Sequence, residues 1–305
     1  MNTFKRLTDG LLKDVHELRE LKSTMDEESL RKADLILNPK IEDATLRERI
    51  AKLREKLGDK VLERHSDCDL RRFLKARHLK VDKAVTMYEE MLKIRTRFGL
   101  DKPDFFEAHQ PMDAFANHYP IGLCGHDKDG YPIAYEFPGL IDVKGFDSSM
   151  TNEEFVTQVL WNLESLLCSM ELRSIREGRL CDRWSFIVDM RGLSVMESFS
   201  KNHIKRTSEI QRILDACYAE RGGRVLILNV SAVYDILYNI FKPFLAHETK
   251  AKILLLKSEN ELLNYIDADQ LPVVYGGTKV DSNGDPECSE WITRGSIVDK
   301  SLYKL

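Results

Sequence analysis

The sequence predicts an α/β fold: a helical N-terminal subdomain, then a mostly parallel sheet with right-handed helical crossovers. Three observations predict it. Over the first hundred residues apolar positions recur at helical spacing. Beyond Pro103, strand-like runs alternate with amphipathic stretches, the grammar of a parallel sheet. One of those runs, RVLILNV at 224–230, is continuously aliphatic, as suits a central strand covered on both faces.

The elements follow in order. Leu7, Leu11, Val15, Leu18 and Leu21 make one helical face, and Asn38-Pro39 breaks the pattern, so residues 1–40 form an N-terminal helical extension whose function cannot be read. From Asp43, LRERIAKLREKLGDKVLERH is helical, and DLRRFLKARHLKVDKAVTMYEEMLKIRTRFG continues as two helices, the second expected to be capped by Asp82. Residues 41–100 are thus a helical subdomain with 16 Lys or Arg against 11 Asp or Glu. Residues 101–280 make the α/β part. In GHDKDGYPIAYEF, Asp129-Gly130 supplies a turn and Ile133 to Phe137 a strand. FVTQVLWNLESLLCSM sets Phe155, Val159, Leu163, Leu166 and Met170 on one helical face, WSFIVDM is a strand, and a helix over about 203–219 leads into RVLILNV. VYDILYNIFKPFL reads as a helix broken or kinked at Pro243, ILLL as a last strand, and 281–305 as a tail.

Composition excludes several classes of function. A net charge of −4 argues against a general nucleic-acid binder, although the basic 41–100 segment suits an anionic surface. Six scattered cysteines without CxxC spacing fit a reducing compartment. The N-terminus has no signal-peptide core, and no apolar run approaches the roughly 20 residues of a membrane span, so a cytosolic protein is expected. The sequon Asn229-Val230-Ser231 is discounted for the same reason. No GxxxxGK[ST], GxGxxG, GxSxG or HExxH occurs, the histidines lie apart, and GHDKDG has too few acids for a calcium loop. Asp189 beside Arg191 reads as a surface ion pair, not a catalytic acid. No metal, cofactor or catalytic constellation is expected.

Three stretches together carry a resemblance: LRRFLKARHLKVDKA, then CYAERGGRVLILNV, then IFKPFLAHETKAKILLL running to ELLNYIDADQLPVVYGGT. Over Leu46 to Thr278 the chain resembles the CRAL-TRIO family of lipid-binding and lipid-transfer proteins, in its phosphatidylinositol/phosphatidylcholine transfer branch. The resemblance implies a helical subdomain packed on an α/β lobe that encloses one phospholipid as cargo, behind a gate. DKDGYPIAYEF resembles the family's first strand. The family's headgroup residues fall on Arg77, Glu220 with Arg221 alongside, Thr249 and Lys252, and its gate on the stripe Val233, Ile236, Leu237, Ile240, Phe241 and Phe244.

The residue types make physical sense apart from the resemblance. A buried phosphodiester needs cationic donors, which Arg77 and Lys252 supply; Thr249 offers a hydroxyl, and Glu220 accepts from inositol hydroxyls that choline lacks. Two acyl chains carry about 30 methylenes at about 0.8 kcal/mol each, so exposing them costs of order 25 kcal/mol, and exchange requires transient docking on a membrane. The implied protein is a cytoplasmic, peripherally membrane-associated carrier of phosphatidylinositol or phosphatidylcholine, with a lipid kinase as a conceivable recipient of the cargo. Two departures stand out. Asn229-Val230-Ser231 lacks the proline that often follows this strand in the family, which alters the gate's hinge. The tail DSNGDPECSEWITRGSIVDKSLY resembles the segment that in animal members leads into a GOLD domain, which these residues do not include. A carrier of a neutral ligand (tocopherol, retinoid or sterol precursor) or a non-transferring interaction scaffold are the rival readings.

Overall fold

The computed structural model describes residues 3–109, 111–193, 201–230, 239 and 250–293. Helices α1 (Thr3–Thr24), α2 (Glu27–Leu37), α3 (Ala44–Leu57), α4 (Asp67–Lys75) and α5 (Val81–Phe98) come first. Asp26, Asp43 and Ser66 start α2, α3 and α4 by accepting hydrogen bonds from the backbone N–H of Ser29, Leu46 and Asp69, which satisfies donors that the first turn leaves unpaired. The start of α5 differs from expectation. Its cap is Lys80, which makes no side-chain cap bond, while Asp82 lies inside the first turn and pairs with Lys56, favoured there by the positive end of the helix dipole.

After two short helices, α6 (Phe105–Ala108) and α7 (Asp113–His118), the chain enters the sheet with β1 (Ile121–His126) and β2 (Pro132–Glu136). Then come α8 (Val143–Ser149), α9 (Asn152–Glu177), β3 (Trp184–Asp189), α10 (Lys201–Cys217), β4 (Gly222–Leu228) and β5 (Ile253–Leu255). Thr151 opens α9 with a capping box to Glu154, and Gly178 closes it in the left-handed region. The sheet order is β1-β2-β3-β4-β5, with β1 antiparallel to β2 and every other neighbour parallel. DKDGYPIAYEF is therefore the second strand, a correction. The first, IGLCGH, carries two glycines and a histidine in six residues and so gives little strand signal. Its turn is built by buried Asp127, which accepts from the N–H of Asp129 and Tyr131 and from Ser185 Oγ at 2.7 Å.

The period of two along each strand sorts the sheet into two faces. Ile133, Tyr135, Ile187, Leu226 and Leu228 pack beneath a C-terminal layer of short 3-10 turns that supplies Leu262, Ile266, Leu271 and Tyr275. This layer depends on the Gly276-Gly277 pair: Gly276 has φ +83°, and a Cβ on Gly277 would stand 1.9 Å from the Leu271 carbonyl oxygen. The opposite face, with Ile121, Leu123, Ala134, Trp184 and Phe186, looks toward α9 and α10. A separate core ties α3, α4 and α5 together through Leu53, Leu70, Leu74 and Tyr88 and reaches the lobe at Ala219. Helix α1 packs with the lobe instead: Phe4 and Leu11 join the α9 core, and Lys22 and Glu17 pair with Glu171 and Arg176 of α9.

Candidate functional site

Between the second sheet face and the helices lies a cavity with about 1130 Å³ of space free of atoms, part of it open to solvent. The α9 stripe read from the sequence supplies one wall with Phe155, Val159, Leu163 and Leu166, and α10 another with Ile210 and Leu214. Ile121, Leu123, Ala134 and Phe186 form the floor. Leu7 and Leu11 of α1 complete the lining, which the sequence did not reveal because their spacing equally suits an ordinary core helix.

Few polar groups enter this space, and they are unevenly satisfied. Arg206 pairs with Asp147, donates to the Met150 carbonyl at 3.2 Å and lies 4.6 Å over the Phe146 ring. His203 is held below its ordinary pKa by burial and by the neighbouring Arg206 cation. Glu136, on the same side of β2 as Ala134, also lines the cavity, and burial pushes its carboxyl up to about 7. No sequence signal marked Glu136, since a Glu ending a strand usually faces solvent.

The predicted headgroup residues separate into three places. Glu220 and Lys252 meet at the N-terminal ends of β4 and β5, where the Lys252 ammonium lies 3.8 Å from the Glu220 carboxylate and donates to the Gly222 carbonyl at 2.9 Å. Glu220 adopts a left-handed backbone (φ +58°) in the tight turn from α10 to β4, a conformation costly for a side-chain-bearing residue. Arg221 turns the other way, donating to the Asp182 carbonyl at 3.2 Å and lying 3.7 Å from Asp69. Burial and the Arg72 cation beside it depress its pKa to about 10. Arg77 lines an open groove between α5 and α10 with Lys83, Glu90 and Arg212, and donates to the Ala76 carbonyl. Among the described contacts none joins Arg77 to Glu220 or Lys252. Thr249 and the gate stripe Val233, Ile236, Leu237, Ile240, Phe241 and Phe244 lie outside the described residues.

Two buried ionic clusters join the helical subdomain to the lobe. Arg72 bridges Asp69 and Asp182, and Arg95 makes paired bonds to Glu164 at 2.9 and 3.0 Å while reaching Asp101. Asp189 is a correction. It is not a surface acid but fully buried at the end of β3, where it accepts from Arg191, from Asn229 at 2.8 Å and from the Tyr275 hydroxyl at 3.0 Å. Its role is to pin the C-terminal layer to the sheet.

Residues 116–277 match the CRAL/TRIO domain family. The chain belongs to that family. It is 30% identical over 241 residues to Protein real-time of Aedes aegypti, a match covering 77% of this chain but only 35% of that protein. It is also 30% identical over 220 residues to the SEC14 cytosolic factor of Candida glabrata, covering 70% of this chain and 72% of that one. The crystal structure of Sfh5 shares the fold, with a TM-score of 0.59 at 15% identity over 87% of this chain and 96% of its own. As a CRAL/TRIO protein the chain belongs with lipid-binding and lipid-transfer proteins and not with enzymes. Among the described residues no helix is long and apolar enough to cross a membrane, and no group of three His, Cys, Asp or Glu is placed to hold a metal ion.

Proposed function

We propose that this CRAL/TRIO protein sequesters one phospholipid, phosphatidylinositol in exchange with phosphatidylcholine, and swaps it at membrane surfaces. The observation that carries this reading is the pairing of Glu220 with Lys252 at one end of a sheet whose adjoining face walls an apolar cavity. An ammonium 3.8 Å from a carboxylate is a donor that an anionic phosphate can recruit, and the carboxylate so released accepts from inositol hydroxyls. Thr249 sits three residues before Lys252 and belongs to the same proposed set, whereas Arg77 and Arg221, which the resemblance adds, stand apart from this pair and engage other groups. The gate stripe Val233–Phe244 would then open against a bilayer, with the basic 41–100 segment favouring anionic surfaces.

The protein itself needs no cofactor in this scheme; the lipid is cargo. Its working place is the cytoplasm and the faces of membranes that it visits, and a lipid kinase is a fitting recipient. Native mass spectrometry of the protein purified from its own cells identifies the cargo. Transfer of labelled lipids between vesicles then tests the site: Glu220→Ala with Lys252→Ala abolishes phosphatidylinositol transfer and spares phosphatidylcholine transfer. Equal retention of both activities refutes the headgroup assignment.

A further inference from the structure

We infer that Cys124 and Cys288 form a dithiol modification site, whose oxidation to a disulfide fastens the C-terminal segment to the edge strand of the sheet. The inference is independent of the cargo and of its headgroup residues.

Placement comes first. Strand β1 pairs with β2 on one side, and on the other it meets residues 291–293: the Leu123 N–H donates to the Trp291 carbonyl at 3.1 Å and the Thr293 N–H to the Ile121 carbonyl at 2.9 Å. Between those bonds Ile292 sits directly on Gly122, where a Cβ would stand 2.8 Å from its side chain. The period of two sends Ile121 and Leu123 toward the cavity and Cys124 into the core beneath the C-terminal layer. Cys288 enters that same core from a tight turn, in which its carbonyl accepts from the N–H of Trp291 and Ile292 at 2.9 and 3.0 Å and so returns the chain onto β1. Its backbone is left-handed (φ +53°), a conformation costly for a residue with a side chain, so the surrounding fold holds this thiol in place.

The thiols come second. Cys124 donates to the Cys288 sulfur, and Cys288 donates to the Lys279 carbonyl at 3.6 Å. Both are buried, and the other four cysteines, Cys68, Cys168, Cys181 and Cys217, lie outside this core. Joining the two sulfurs at about 2 Å therefore asks for a small approach of two side chains and no rearrangement of the sheet.

The chemistry follows from their burial. The thiolate is the attacking form, and burial pushes the Cys124 thiol up to about 12 and raises that of Cys288, so the seated segment protects both from oxidants. Reaction begins when the segment lifts, and Cys288 reacts first because it travels with the segment while Cys124 stays in β1. Its thiolate attacks a low-molecular-weight disulfide such as oxidised glutathione; one sulfur bonds to Cys288, and the other leaves as a thiolate that takes up the proton Cys288 lost. Reseating brings the mixed disulfide onto Cys124. The Cys124 thiolate attacks the Cys288 sulfur and displaces the second glutathione thiolate, which takes up the Cys124 proton. Two protein thiols are oxidised and one glutathione disulfide is reduced to two thiols. A reducing compartment keeps the pair open, and an oxidising shift closes it. The closed cross-link ties β1, whose Ile121 and Leu123 floor the cavity, to a segment that Glu290 already pairs with Arg6 of α1 at 3.0 Å.

The test incubates the folded full chain with oxidised glutathione, alkylates the remaining thiols and maps the peptides by mass spectrometry. The expected product is one cross-linked pair, Cys124 with Cys288, with the other four cysteines alkylated. Its urea midpoint lies above that of the reduced protein, because the cross-link closes a long loop in the unfolded chain. Cys124→Ser stops with one glutathione on Cys288, and Cys288→Ser leaves Cys124 a free thiol. Gly122→Ala, whose added methyl group unseats Ile292, takes up glutathione at Cys288 several-fold faster than wild type and closes to the disulfide less completely. Absence of the cross-link in folded wild type, equal linkage to the other cysteines, or uptake at Cys124 in Cys288→Ser as fast as at Cys288 in Cys124→Ser overturns the inference. Should the serine variants not fold, the wild-type peptide map decides alone: a native Cys124–Cys288 cross-link upholds the site, and its absence ends it.

Discussion

The Lys252 ammonium lies 3.8 Å from the Glu220 carboxylate, and Glu220 holds it from a left-handed backbone. A glycine would occupy that backbone without the steric penalty of roughly 1–2 kcal/mol, and the gain is partly offset by the extra freedom glycine has when unfolded. Glu220→Gly should therefore leave stability within about 1 kcal/mol of wild type while removing the inositol acceptor. Phosphatidylinositol transfer is expected to fall at least tenfold, the value of a charge-assisted hydrogen bond, with phosphatidylcholine transfer unchanged. Urea unfolding and vesicle transfer on the same preparation check both halves. Wild-type phosphatidylinositol transfer in this variant removes Glu220 from the headgroup set.

Arg95 is the centre of a buried cluster that holds α5 to α9. Its guanidinium makes two parallel bonds to Glu164, whose Oε1 also accepts from the Tyr218 hydroxyl at 2.7 Å. Removing the cation strands a carboxylate that is 12% exposed, and breaking such a pair costs about 3–5 kcal/mol. Arg95→Met is expected to lose that much in urea unfolding. Arg95→Met with Glu164→Leu should recover most of it, because no unpaired charge remains. A double variant as unstable as the single one shows that packing, not charge, holds this junction.

The alternation of elements made the fold legible in the sequence: the α9 stripe has helical spacing, WSFIVDM reads as a strand, and RVLILNV is the continuous aliphatic run of a strand covered on both faces. The glycine-rich β1 was not legible, because its place is set by pairing with β2 and by a bridge from Gly122 to Ile292, both long-range. Glu220 and Lys252 were singled out one by one through the resemblance, and their meeting at 3.8 Å appears only in the folded structure. Glu136 was not. What singles it out is which face of β2 it occupies, and that property does not exist before the sheet is assembled. Asp189 was misread for a related reason: its neighbour Arg191 is visible in the sequence, whereas Tyr275 and Asn229 arrive from 86 and 40 residues away.

Two buried groups pull stability in opposite directions with pH. Glu136 has a folded pKa near 7 against about 4.5 unfolded, so between those values the native state binds the extra proton and stability falls as pH rises. His65, hydrogen-bonded to the Tyr88 hydroxyl at 2.8 Å, is pushed down to about 4 by burial. Below 6.5 the unfolded state takes up its proton first, so stability falls as pH drops toward 4. In the window from about 4.5 to 6.5 the two slopes oppose each other. Glu136→Gln should remove the fall between pH 5 and 7 and expose the acid-side loss due to His65; His65→Gln should do the reverse. Thermal unfolding of both variants across pH 4.5–8 measures this, and parallel curves for the two variants and wild type rule out both assignments.

Helix α1 offers a direct separation of cavity function from ordinary packing. Leu11 is buried and lines the cavity, whereas Leu18, two turns farther along the same face, is equally buried and does not. Truncating either leucine costs about 2–5 kcal/mol through lost burial and the void left behind. Only the void at Leu11 opens the wall against the proposed acyl chains. Leu11→Ala is therefore expected to release a bound pyrene-labelled phospholipid to acceptor vesicles several-fold faster than wild type. Leu18→Ala, with a comparable loss of stability, should release it at the wild-type rate. If the two variants speed release equally, lipid loss follows global stability and α1 is a brace for α9 and not a wall of the lipid chamber.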